Sequence, residues 1–207
     1  MKSLVFCLLM VCVLLTFSTR GFAQDASRPQ GTEKPAKGGV ATLYALDPLA
    51  QSFCFRDASA GLIFQQHAVK NRCSDVNYNS YYADQFAVGV EGGRVGVIVD
   101  LGTAADLKNE YGYQETVGNG QGFASIHFED GKLVILRDRR ARVMQEMKET
   151  QQLFAPPKSG ANAPVKLGHI YLARITDSHD SRFQLLVKLL VISHTPGEAV
   201  TFRWQSL

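Results

Sequence analysis

The sequence predicts a mostly-β fold, an antiparallel β-sandwich or partly closed barrel with one or two short helices. Several segments alternate apolar and polar residues and are separated by Gly-Gly, Asp-Gly or Pro-Gly turns, the pattern of short paired strands. The hydrophobic fraction of 45% and the charged fraction of 20% are those of an ordinary globular domain. We therefore expect one β-rich domain over residues 40–207.

The first residues have the pattern of a secretory signal peptide. A short positive start precedes the apolar run Leu4–Phe17, and Gly21-Phe22-Ala23 places small residues where a signal peptidase cleaves. Residues 24–39 are polar and rich in Pro, Gly and Lys, so we expect a disordered leader there. A signal peptide over 1–23 would place the mature protein in the periplasm or outside the cell.

Charge argues against a nucleic-acid partner, and hydropathy argues against a membrane-spanning helix. Cleavage would remove Lys2 and Arg20 and no acidic residue, so the net charge would fall from +3 to +1, too little for a nucleic-acid-binding protein. The apolar run is shorter than the roughly 20 residues that a membrane-spanning helix needs. We expect no membrane span after cleavage, with an uncleaved anchor as the alternative. Nothing in the sequence indicates a cofactor.

Cys54 and Cys73 are the cysteines that would remain after cleavage. An even number of cysteines in a chain bound for an oxidising compartment predicts a disulfide between them. Two separate buried thiols are the alternative. A zinc site is disfavoured because no second pair of Cys or His stands at ligand spacing.

Alternating apolar residues on both sides of Gly92-Gly93 predict a β-hairpin. In the register of a two-residue turn, Val88 would lie opposite Val97. Phe86 would lie opposite Val99, so that the apolar residues of both strands share one face of a sheet.

Asp130-Gly131 predicts a second hairpin. Its register places Glu129 opposite Lys132 and Phe128 opposite Leu133, with Ile126 and Ile135 paired further along. Both faces of this hairpin carry apolar residues, which indicates that it is covered on both sides.

Two helices are predicted. Thr103 and Asp106 have the spacing of a capping box, and Gly112 can end the helix that follows. The segment 138–154 is rich in helix formers, so we expect a surface helix there. A basic cluster at its start could contact an anionic polymer or a membrane surface, but a solvated helix face is the favoured interpretation; the cluster consists of Arg137, Arg139, Arg140 and Arg142.

The remaining C-terminal sequence predicts a linker over 155–164 and a three-strand meander over 165–207. In the last strand Val200, Phe202 and Trp204 share one face. A segment of this length is too short to bury a core alone, so we expect it to dock onto the earlier strands.

Asp75, Asn77 and Asn79 alternate in the manner of the first ligands of a calcium loop. In the EF-hand spacing, however, Ser80 stands where Gly is needed and Phe86 where the bidentate Glu is needed. We therefore expect no metal, and a calcium site of another kind at these three residues is the alternative.

His127 is the candidate catalytic residue, with Glu129 or Asp100 as its carboxylate partner. His127 and Glu129 share a face of one strand, but residues two apart on a strand are separated by about 7 Å, too far for a hydrogen-bonded dyad. No G-x-S-x-G motif is present. A half-buried structural histidine opposite Val134 is therefore the favoured interpretation.

Tyrosines cluster in two polar segments, 77–82 and 109–114. Tyrosine beside Asn, Ser and Gly is typical of surfaces that recognise partners. The candidate ligand-binding residues are Tyr78, Tyr81, Tyr82, Tyr111 and Tyr113. The alternative is that some of these rings cover the edge of the core.

These observations favour an exported non-catalytic binding module, for carbohydrate, another component of the cell envelope or another protein, that uses the tyrosine loops. A small secreted hydrolase that uses His127 is the first alternative. A structural or assembly protein of the envelope is the second.

Overall fold

The structure is a computed structural model that describes residues 37–48, 50–61, 65–66, 69–70, 74–79, 82–90, 94–113, 122–158 and 161–207. Strands β1 to β8 are Gly38–Tyr44, Ser52–Cys54, Ser59–Gly61, Gln65–Gln66, Val69–Lys70, Val76–Tyr78, Gln85–Val88 and Arg94–Thr103. Strands β9 to β15 are Ile126–Glu129, Lys132–Asp138, Val143–Glu146, Ala161–Pro164, His169–Asp177, Gln184–Thr195 and Ala199–Ser206. The helices are α1 (Ala104–Tyr111) and α2 (Thr150–Leu153).

A five-stranded antiparallel sheet with the order β1-β15-β14-β13-β8 forms the centre of the domain. Its three middle strands are the predicted C-terminal meander. The meander docks onto earlier strands as expected, with β1 on one side and β8 on the other.

A second five-stranded sheet, β12-β7-β6-β2-β3, completes a sandwich with the central sheet. The two sheets enclose a first core that is rich in aromatic rings, among them Phe53, Phe55, Phe86, Phe202 and Trp204. Phe202 and Trp204 lie on one face of β15 as predicted, and both are buried. The prediction of a mostly-β, antiparallel sandwich with short helices is confirmed.

The other face of the central sheet is covered as well. A three-stranded sheet, β11-β10-β9, joins α1 and α2 to enclose a second core. Alternate residues of β13 divide between the two cores, with Ile170 and Leu172 in the second and Tyr171 and Ala173 in the first. The central strands are thus apolar on both faces because both faces are buried.

Helix α1 begins and ends as predicted. The Thr103 side chain accepts from Asp106 N while the Asp106 carboxylate accepts from Thr103 N, which completes the capping box. Gly112 ends the helix in the left-handed conformation at φ 63°.

The Asp130-Gly131 hairpin is also confirmed. Glu129 pairs with Lys132 and Phe128 with Leu133, in the predicted register. Asp130 and Gly131 have φ values of 49° and 78°, the two positive angles that a type I′ turn requires.

The predicted pairing of β7 with β8 is wrong, and the Gly92-Gly93 turn itself lies outside the described residues. Strand β7 pairs with β6 and β12, whereas β8 pairs with β13 in the other sheet. Val88 lies in the first core and Val99 in the second, so the two strands do not share a face. Gly89, at φ 68°, allows the chain to leave the strand and pass against the backbone of Gly96.

The predicted helix over 138–154 is also wrong. The Asp138 carboxylate accepts from Arg140 N and Ala141 N, which turns the chain at the start of the segment. Strand β11 follows and pairs with β10, so only α2 is helical. Pairing with a neighbouring strand has overridden the helix propensity of these residues.

Part of the predicted linker 155–164 is a strand. Lys158 exchanges two backbone hydrogen bonds of 3.0 Å with Gly96, and β12 pairs with β7 at the sheet edge. The predicted signal peptide, most of the predicted leader, Tyr81 and Cys73 lie outside the described residues. Within the part of the chain that the structure describes, no helix has the length and apolar character needed to cross a membrane.

Candidate functional site

Loops from both sheets of the sandwich meet at one end, which we call the loop end. The β14–β15 turn lies beside the residues that follow β1, since Ala45 N donates to Glu198 O at 2.7 Å. It also touches the loop between β6 and β7, since Gly197 N donates to Asp84 Oδ1 at 2.6 Å. Three loops that are distant in sequence are therefore held together here.

Asp84 connects the loop between β6 and β7 to the β14–β15 turn. Besides Gly197 N, its Oδ1 accepts from Tyr78 Oη at 2.8 Å, and His194 Nε2 lies 3.5 Å from it. The hydrogen bonds from Gly197 and Tyr78 lower the pKa of Asp84. Burial and the Asp84 carboxylate raise the pKa of Tyr78, so the phenol remains a donor. Asp84 stands at φ 55°, with its own N–H donating to Asn79 Oδ1.

A shallow hollow of about 370 Å³ lies at the loop end, lined by Tyr44, Leu46, Asp47 and Glu198. Tyr44 is 50% exposed and Leu46 83% exposed. The hollow therefore combines an aromatic face and an alkyl group with two carboxylates.

A second polar cluster joins the end of β8 to the start of β13. His169 Nδ1 lies 2.8 Å from Asp100 Oδ1, and Lys166 Nζ lies 3.2 Å from Asp100 Oδ2. Burial alone would raise the pKa of Asp100, but the hydrogen bonds from His169, Gly102 and Lys166 together lower it. The His169 and Asp100 side chains are 19% and 21% exposed, so the pair reaches the surface.

The structure separates the predicted tyrosine group. Tyr78 lies in the first core, whereas Tyr111 and Tyr113 lie in the second, on the other face of the central sheet. All three rings are buried, and Tyr113 donates to Ala104 O. Of the four predicted tyrosines that the structure describes, Tyr82 alone is exposed, at 58%. A groove built from all these rings is therefore not formed.

The predicted catalytic residues are not brought together either. His127 lies on β9 opposite Val134 as expected and is half-buried. Burial, followed by the nearby Lys188 charge, lowers its pKa. Asp100 lies on the other side of the central sheet and binds His169, and Glu129 is exposed beside the Asp130-Gly131 turn.

Each of the three calcium candidates has one side-chain oxygen in a hydrogen bond with another group of the protein. Asp75 Oδ2 accepts from Phe55 N and Asn77 Oδ1 accepts from Ser74 Oγ, while Asn79 binds Asp84 N. Burial raises the pKa of Asp75. Within the described residues, no group of three or more His, Cys, Asp or Glu could hold a metal ion.

Cys54 is buried at the end of β2. Because Cys73 lies outside the described residues, the predicted disulfide stays a prediction.

Comparisons of this chain with protein-family models, with curated proteins and with solved structures find no match.

Proposed function

We propose that this protein is an exported, non-catalytic binding module that holds a carbohydrate or a related component of the cell envelope at the loop end. The hollow lined by Tyr44, Leu46, Asp47 and Glu198 supports the proposal, because exposed apolar side chains stand there beside carboxylates. A sugar ring has apolar C–H faces and a rim of hydroxyl groups, so it needs both kinds of contact.

The chemistry of each residue fits this class of ligand. The Tyr44 ring would stack on a C–H face, and its two rotatable side-chain torsions make it cheap to order. Asp47 and Glu198 would accept hydrogen bonds from ligand hydroxyls. The volume of the hollow falls in the range of small-ligand sites, about 300–1,000 Å³.

The hydrogen bonds around Asp84 and the β14–β15 turn favour binding because they hold the loops in place before a ligand binds. The β14–β15 turn is fixed by the hydrogen bond from Gly197 N to Asp84 and by the one from Ala45 N to Glu198 O. A ligand therefore pays little ordering entropy at this turn. Tyr82, two residues before Asp84, offers a second exposed ring on an adjoining loop.

The test is a binding screen with named probes: insoluble peptidoglycan, chitin and cellulose, and then soluble oligosaccharides from whichever polymer retains the protein. Tyr44→Ala is expected to weaken binding about tenfold or more, and Tyr44→Phe much less, since the ring supplies the contact. Glu198→Gln is expected to weaken binding without altering the fold.

Val40→Ala is the matched control, since Val40 is also exposed and lies on β1 but does not line the hollow. Retention of wild-type affinity by Tyr44→Ala, or an equal loss in Val40→Ala, would contradict the proposed site.

Export and the Cys54–Cys73 disulfide belong to the same proposal. Expression of the full chain in a bacterial host is expected to deliver protein that lacks residues 1–23 to the periplasm. The mass of this protein is expected to rise by about 2 Da on reduction, as one disulfide requires. A cytoplasmic, full-length product would contradict export, and a mass that does not change on reduction would contradict the disulfide.

A small hydrolase is the second candidate function, but with His169 in place of His127. His169 Nδ1 lies 2.8 Å from Asp100 Oδ1, the arrangement in which a carboxylate orients a histidine so that its other ring nitrogen can act as a general base. Hydrolysis of chromogenic esters or glycosides that disappears in His169→Ala and persists in His127→Ala would favour this function. No turnover by the wild type would remove it.

A further inference from the structure

The connection between β10 and β11 concentrates positive charge on the surface. Arg139, Arg140 and Arg142 lie within it or at its end, and all three are exposed. The acidic residue of the turn, Asp138, accepts hydrogen bonds from two backbone N–H groups and is partly buried. We call residues 139–144 the arginine tip.

Apolar side chains adjoin these arginines. Val143 is 46% exposed and Met144 40% exposed, directly after Arg142 in β11. Met144 pairs with Leu136, which is partly buried on the same face of the small sheet. The arginine tip therefore presents guanidinium groups and alkyl groups side by side.

The positive charge is confined to this end of the small sheet. At the other end Lys132 and Glu146 form an exposed ion pair at 2.7 Å, and Glu129 and Asp130 lie at the adjoining turn. An acidic peptide that added as a strand along β11 would meet arginines at one end only. A flat anionic surface would meet the tip arginines together with Val143, whereas Met144, the next residue of β11, lies on the other face of the small sheet.

From this arrangement we propose that the arginine tip docks the protein on an anionic phospholipid surface. The guanidinium groups would bind lipid phosphates, which they contact through two N–H groups at once. Val143 would enter the boundary between head groups and acyl chains, as the apolar residues of peripheral membrane proteins do. The surface lies on a different layer from the loop end, so a docked protein would keep the hollow open to ligand.

The test is co-sedimentation with vesicles of phosphatidylglycerol and phosphatidylcholine and, separately, of phosphatidylcholine alone. The wild type is expected to bind the first and not the second, and to dissociate as salt is raised. The double variant Arg139→Gln/Arg140→Gln is expected to bind about 25-fold more weakly, since each arginine near an anionic membrane contributes roughly fivefold.

The matched control is Arg182→Gln/Lys158→Gln, which removes the same charge from exposed positions elsewhere. It is expected to bind as the wild type does. Val143→Thr keeps the shape of the side chain and is expected to weaken the binding that remains at high salt. All variants are expressed as the full chain in the same host, so residues 1–23 are processed in the same way in each of them.

Three outcomes would overturn the proposal. They are absence of wild-type binding to the anionic vesicles, wild-type binding by the Arg139→Gln/Arg140→Gln variant, and an equal loss in the Arg182→Gln/Lys158→Gln control. Capture by immobilised polyglutamate without vesicle binding would also overturn it and would indicate an acidic protein partner. Because no residue of the hollow is changed, failure here leaves the proposed function untouched.

Discussion

The side-chain nitrogen of Lys188 lies 2.6 Å from the carbonyl oxygen of Phe123, within the second core. A further hydrogen bond of 2.8 Å joins it to the carbonyl of Ile126, and the Phe123 ring centroid is 4.7 Å away. Lys188 thus fixes the turn that leads into β9. It does so as a buried cation without a carboxylate among these contacts, an arrangement that is costly to desolvate. Burial, and then the neighbouring Arg203 charge, lowers the pKa of Lys188 to about 8.

The lowered pKa of Lys188 predicts that stability rises with pH. Between about pH 8 and pH 10.5 the unfolded chain binds more protons at this lysine than the folded chain, so the free energy of unfolding increases over that interval. The full effect is on the order of 3 kcal/mol. Urea denaturation of wild type and Lys188→Met at pH 7.5 and pH 9.5 measures it, since the other titrating groups are common to both proteins. A difference in stability between the two proteins that does not change with pH would contradict this assignment.

Tyr111→Phe is expected to destabilise the second core by about 1–3 kcal/mol. The Tyr111 hydroxyl donates to Glu149 Oε2 at 2.5 Å, and Glu149 is only 6% exposed, so the variant leaves a buried carboxylate without this donor. Chemical denaturation measures the loss. Tyr82→Phe is the control, because that hydroxyl is on an exposed ring, and equal stabilities of the two variants would contradict the prediction.

Gly89→Ala is expected to lower the free energy of unfolding by at least about 3 kcal/mol. A Cβ atom at Gly89 would lie 2.3 Å from Gly96 N, and φ is 68°. Gly197→Ala has a similar φ of 72° but open space around the new methyl group, so about 1 kcal/mol of backbone strain is expected there. Thermal or chemical denaturation of both variants separates the steric clash at Gly89 from the backbone strain that both variants share. Similar losses of stability in the two variants would argue against close packing at Gly89.

Thr103→Ala is expected to cost about 1 kcal/mol, the usual effect of removing an N-cap side chain. The variant removes the acceptor for Asp106 N and one donor to the Asp106 carboxylate. Thr103→Ser keeps both hydrogen bonds and is expected to remain close to wild type in a denaturation experiment. A Thr103→Ser variant as unstable as Thr103→Ala would indicate that the methyl group matters more than the cap.

Sequence reasoning succeeded where the determining contacts are local. The Asp130-Gly131 hairpin and the α1 capping box depend on residues within a few positions of one another, and both formed in the predicted register. The predicted pairing of β7 with β8 failed because alternation along a strand does not reveal which neighbour it pairs with. Phe86 and Val88 face the first core, and the strands that determine their pairing and packing are distant in sequence.

The candidate site was less predictable than the fold. Composition identified loops rich in tyrosine, but it could not show on which side of the backbone each ring falls. Tyr78 is one of three consecutive buried residues of β6, and Tyr111 lies on the buried side of α1. Tyr44 and Leu46 were missed because they lie at and just beyond the end of a regular strand and carry no motif. Asp84 and His194 meet only when the chain has folded, since 110 positions separate them in the sequence.

Trp204 is the single tryptophan of the chain, and it lies in the first core between the rings of Phe53 and Phe55. Tryptophan fluorescence therefore reports on the unfolding of the sandwich. It does not report on the layer formed by α1 and the three-stranded sheet, which contains no tryptophan. We therefore expect the fluorescence signal to remain unchanged if that outer layer unfolds on its own. Amide hydrogen exchange sees both layers, and β13 and β14, covered on both faces, should be the last strands to exchange.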